Sequence, residues 1–158
     1  MSLQKLHKNN VFNLSKAQQY LKTNIWTIKV SCVGGAYLEE VAHKKCEINS
    51  KTTLTELCDI ILGMFDFDND HLHRFFISRS GYTGEEIGNE ELTLEDIFPL
   101  DKGHGLFMNF DFGDAWLFRV IKMAKKTTFS PDIQYPVVVQ EIGENPEQYP
   151  MYEDEEWE

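Results

Sequence analysis

His71 and His73 stand two residues apart, and Asp111 and Asp114 bracket a Phe-Gly pair further along the chain. On an extended strand, residues i and i+2 point to one side, so both imidazoles would face the same way. Two imidazoles with one or two carboxylates suit a single divalent ion, and such a set would support metal-assisted hydrolysis. The plainer reading puts His73 at the rim of the core, one ring nitrogen bonded to an aspartate, with His71 exposed. On that reading no metal is assigned and no cofactor is expected. Asp70, His71, His73, Asp111, Asp114 and Trp116 then stand as candidate ligand- or partner-binding residues at one end of a sheet.

Other chemistry is weaker. Asp66, Asp68 and Asp70 alternate as at the start of a calcium-binding EF-hand loop. The sixth position of that loop requires Gly and the twelfth Glu, where this chain has His71 and Ile77. Those aspartates read instead as a turn before a strand. Asp111-Phe112-Gly113 matches the magnesium-binding triplet of protein kinases, but no glycine-rich phosphate loop or His-Arg-Asp catalytic loop accompanies it. Ser78 and Ser80 lie outside any nucleophile-elbow context, and Glu85-Glu86 sits in a polar stretch that would hold an acid/base pair poorly. Cys32, Cys46 and Cys58 form no Cys-x-x-Cys pair, and an odd count argues for buried, reduced thiols. Trp26 and Trp116 both begin strands and read as core anchors.

The elements that must position these residues show in the periodicity. Trp26, Ile28, Val30 and Cys32 alternate with polar residues, which predicts a half-buried strand over 25–32 and, after Gly34-Gly35, a second over 38–48. Thr53 and Glu56 have capping-box spacing. Leu54, Leu57, Cys58, Ile61, Leu62 and Phe65 then form the apolar stripe of the main helix. A third strand is predicted over 72–78, a polar loop over 80–89, a short capped helical turn over 92–98, and a final hairpin of 106–112 and 115–121 about a tight Gly113-Asp114 turn. Asn13 or Ser15 would cap a peripheral helix reaching Lys22, preceded by a loose start. Beyond Thr127 four prolines punctuate an extended segment, where 137–139 could add an edge strand behind Pro136. Glu153 to Glu156 make an acidic tail.

This order predicts an α+β domain over 25–126, flanked by a peripheral segment over 1–24 and an extended, acidic-ended segment over 127–158. A hairpin crossed by one main helix, with a late strand returning to the sheet centre, is the β-grasp, ubiquitin-like arrangement. Its sheet would be antiparallel or mixed.

The chain has 158 residues, 42% hydrophobic and 13% aromatic, enough for one ordinary core. Its formal charge of −11 opposes binding to nucleic-acid phosphates, so DNA binding is not expected. No charged leader precedes a long apolar run, and the expectation is a cytoplasmic protein without a membrane span.

Five motifs in order carry a resemblance: Ile25-Trp26, Thr52 to Leu57, Asp68 to Phe75, Leu92 to Asp96, and Phe110 to Trp116. Together they resemble the plasmid pRiA ORF-three-like family over most of the chain. The resemblance implies a small α+β domain from plasmids, mobile elements and microbial chromosomes, without an established reaction. Relatives commonly carry a His where this chain has Phe118, and cysteines in the segment that here keeps Tyr135-Pro136, Gly143, Pro146 and Glu147. If those groups ligate metal in relatives, half the set is missing here. The expected function is therefore a non-enzymatic module binding a protein partner, with an acidic surface suited to a basic one. The alternatives are a metal-assisted hydrolase or nuclease built on His71, His73, Asp111 and Asp114, or a mobile-element accessory protein.

Overall fold

The computed structural model describes residues 24–151. The predicted N-terminal helix and the acidic tail lie outside the described residues. Seven strands form one sheet: β1 (Ile25–Gly34), β2 (Ala42–Asn49), β3 (His73–Ser78), β4 (Gly84–Ile87), β5 (Gly105–Phe110), β6 (Trp116–Thr127) and β7 (Val137–Ile142). Two helices interrupt them, α1 (Leu54–Met64) and α2 (Leu94–Ile97). The sheet order is β4-β3-β5-β6-β1-β2-β7, and every paired strand is antiparallel. The domain is thus α+β and rich in sheet, with the late strand β6 inserted beside β1 near its centre. No described helix is long and apolar enough to cross a membrane.

One face of the sheet is covered by α1. Thr53 caps it through the predicted box, its side chain accepting from the Glu56 backbone while the Glu56 carboxylate accepts from the Thr53 N–H. Leu54, Leu57, Cys58, Ile61 and Leu62 are buried along the helix. They join Phe65 in one core with Ile28, Val30 and Cys32 of β1 and Phe118 and Val120 of β6. Burying each large apolar side chain is worth about 1.5–3 kcal/mol, so this stripe is what holds α1 on the sheet. The smaller helix docks through its first turn: the Leu94 and Glu95 N–H groups donate to the Thr52 and Ser50 carbonyls. Ser50 Oγ donates to Glu95 Oε1 at 2.6 Å.

The other face carries Phe76, Phe107, Leu117 and Val33. Phe76 and Phe107 stack with ring planes 19° apart, and Arg74 and Arg119 lie over their outer sides.

Several boundaries differ from expectation. The second strand begins at Ala42 rather than residue 38, because the preceding loop is tied elsewhere: Ala36 N donates to the Asp114 carbonyl at 2.8 Å. The polar loop contains β4, whose Gly-Glu-Glu-Ile sequence leaves three of four residues exposed and shows no alternation. The final hairpin has no two-residue Gly-Asp turn. Its strands end at Phe110 and restart at Trp116, and Asp111 and Ala115 take left-handed φ of 59° and 53°. The edge strand anticipated behind Pro136 is β7, paired with β2 and longer than the three valines.

Candidate functional site at the Asp111 end of the sheet

The turn after β5 is organised by the carboxylate of Asp111, a residue only 6% exposed. Its Oδ1 accepts from the backbone N–H of Gly113 at 3.1 Å and of Asp114 at 3.3 Å. The Asp111 N–H donates to the Leu72 carbonyl at 3.0 Å, tying the turn to the lead-in of β3. Aspartate tolerates the left-handed conformation because its short side chain bonds locally in this way.

His71 lies in that lead-in, before β3 begins at His73. The premise of two histidines on one strand face therefore fails, and the rings part company. His73 Nε2 donates to Glu90 Oε1 at 2.7 Å, so its carboxylate partner is a glutamate outside the aspartate group. His71 Nε2 sits 2.7 Å from the Tyr149 hydroxyl, 3.4 Å from Asp111 Oδ2 and 3.8 Å from Asp70 Oδ1. Tyr149 donates to Asp70 Oδ2 at 2.7 Å. A proton on Nε2 suits all three oxygens around it. The hydrogen bond to Asp70 pushes the Tyr149 phenol up to about 12, keeping it a neutral donor.

Gln148, 8% exposed, clamps the same corner. Its amide donates to the Asp68 carbonyl at 3.0 Å and Asp70 Oδ1 at 3.2 Å, and its Oε1 accepts from Asp68 N at 2.7 Å. The segment after β7 is thereby strapped across the sheet end. Between this strap and the β1–β2 loop lies a cleft of about 320 Å³, lined by Tyr37, Glu39, Glu40, Glu144, Glu147 and Pro150 among others. Those four glutamates form no ion pair among the described residues.

Of the predicted residues, the fold thus brings Asp70, His71 and Asp111 together and sends His73 elsewhere. Asp114 contributes its backbone to the Asp111 turn and to Ala36. Trp116 is fully buried, its ring 4.9 Å from Phe67 in an edge-to-face contact. Gly35 lies flat on that indole, where a Cβ would fall 2.2 Å from Trp116 Cε3. Among the described residues the indole Nε1 has no hydrogen-bond partner. Sequence reasoning missed Tyr149, Gln148, Glu90 and the cleft residues Glu39, Glu40 and Glu144. Only the retained Pro146-Glu147 segment hinted at that region, and no local periodicity marks a strap.

Among the described residues, no group of three or more His, Cys, Asp or Glu is disposed to hold a metal ion. The three thiols are buried, and burial pushes each up to about 12, far from a nucleophilic thiolate at neutral pH. What this end offers is hydrogen-bond acceptors and negative charge, held on a braced frame.

A family model described as plasmid pRiA4b ORF-3-like protein matches residues 33–149. No curated protein gave a match. Among solved structures, the chain is similar to a crystal structure of a protein of unknown function from Methanosarcina mazei Go1. The identity is 21% and the TM-score 0.61, over 75% of this chain and 70% of that one, which is a likeness of fold. The chain belongs to the plasmid pRiA4b ORF-3-like family.

Proposed function

We propose that this protein is a non-enzymatic interaction module of the cytosol, and that its acidic sheet end receives a basic segment of a protein partner. The observation carrying this reading is the cleft between the β1–β2 loop and the 144–150 strap, whose four glutamates lack cationic partners among the described residues. Unpaired carboxylates around a concave surface repel one another, and a Lys- or Arg-bearing segment relieves that repulsion while gaining steering from the net charge of −11. Asp70, His71, Asp111 and Asp114 count as further partner-binding residues in this reading, Asp70 and His71 being bonded to Gln148 and Tyr149 of the strap, with the buried Trp116 in the frame behind them. His73, bonded to Glu90, has no part in this reading. The scaffold that goes with it is an elaborated β-grasp, supported by α1 across the sheet and by β6 beside β1.

The test is calorimetric titration of the full chain with a lysine- and arginine-rich peptide. Binding should weaken as salt rises and fall by about tenfold or more when Glu39, Glu40, Glu144 and Glu147 are all changed to Gln. Unchanged binding by that variant, or none by the native chain, overturns the reading.

A further inference from the structure

The longest described strand, β6, is paired with described strands on one flank for only part of its length. On its β1 side β6 stays paired as far as Thr127, opposite Ile25, with register shifts between Trp26 and Ile28 and between Cys32 and Gly34. On its β5 side the ladder ends at Val120, opposite Leu106. From Ile121 to Thr127 no described strand pairs with that flank. Such a flank exposes a row of backbone N–H and C=O groups able to take up another strand.

Two observations say what kind of strand fits. This stretch carries Lys122, Lys125 and Lys126, with Arg119 just before it, all exposed in a chain of net charge −11. None of the four forms an ion pair among the described residues; Lys122 lies over the Trp26 ring and Arg119 over Phe107. The flank also borders a cleft of about 360 Å³ between β6 and the loop before β5, walled by Phe98, Pro99, Leu100, His104 and Ile121. That cleft gives an incoming side chain somewhere to go. Lysines on a bare edge discourage indiscriminate pairing, and the same charges make the edge selective for a carboxylate-bearing strand.

We propose that the Ile121–Thr127 flank of β6 is a docking edge for an acidic, extended segment of a partner protein, which adds to the sheet as a strand in line with β5. This edge is separate from the glutamate-lined cleft and takes a partner of the opposite charge.

The probe is a capped heptapeptide of alternating glutamate and valine, titrated into the full chain by fluorescence anisotropy. Two further versions carry N-methyl groups on one or the other set of alternate amides. Residues i and i+2 of a strand donate to the same side, so one methylated version should bind like the parent and the other should lose about tenfold or more. Lys122→Glu with Lys125→Glu and Lys126→Glu should weaken the parent peptide by about tenfold or more, and these exposed positions leave the core intact. Equal binding by both methylated peptides, or unchanged binding by the charge-reversed chain, overturns the proposal. So does a chain that dimerises through this flank and takes up no peptide, which would assign the edge to a second copy.

Discussion

Asp111→Ala and Asp111→Asn separate a turn-making role from a charge role at the sheet end. The carboxylate accepts two backbone N–H groups and sits at φ 59°. Hydrogen bonds to a charged group are worth about 1.5–3 kcal/mol each, but Gly113 is exposed and Asp114 partly so, and water recovers part of that loss. Taking about 1 kcal/mol for each bond and about 1 kcal/mol for alanine in the left-handed region gives about 2–4 kcal/mol for Asp111→Ala. Asparagine keeps an acceptor and tolerates the same φ, so Asp111→Asn should cost about 1 kcal/mol or less. With a urea m-value of about 2 kcal/mol/M, the alanine midpoint should fall by about 1–2 M and the asparagine midpoint by about 0.5 M or less. Equal losses in the two variants would place the stabilisation in the contact with His71, and a near-neutral Asp111→Ala would remove the carboxylate from the turn altogether.

Gly35→Ala should be among the most damaging single-methyl changes. The residue sits at φ +148° and its new Cβ would overlap the buried Trp116 ring, so a loss of about 3 kcal/mol or more is expected by thermal or urea unfolding. The Glu95 carboxyl is held below its ordinary 4.5, first by the Ser50 hydroxyl and then by Lys51. A depressed acid stabilises the fold above its unfolded value and loses that contribution as pH falls through the folded one. Glu95→Gln should therefore lower the urea midpoint at about pH 7 and converge with the native chain as pH falls below the ordinary carboxyl range; a constant gap refutes the link. Ellman's reagent should label none of the three buried thiols rapidly in the folded protein and all three in urea.

What was legible in the sequence was what short periods encode. The Thr53–Glu56 box, the Leu54-to-Phe65 stripe and the alternation about Ile28 and Val30 each act within a few residues, and the corresponding elements stand where those patterns place them. The α2 cap at Thr93 was visible for the same reason. Exposed strands were not: β4 and the outer half of β6 bury little, so neither alternates visibly. The site was half legible. Asp70, His71 and Asp111 were named, but Tyr149 reaches Asp70 across 79 positions, a distance no local pattern spans. His73 pairs with Glu90 and His71 turns toward Asp111, because β3 begins at His73 and leaves His71 two residues outside the strand.

The acidic sheet end is tested most directly by recording ¹⁵N–¹H spectra of the full chain during titration with the lysine- and arginine-rich peptide. Shifts should be confined to Tyr37 to Glu40, Glu144 to Tyr149 and the Asp70–Asp111 corner, and should fade as salt is raised. Shifts that avoid this end, or that persist unchanged in high salt, would contradict it.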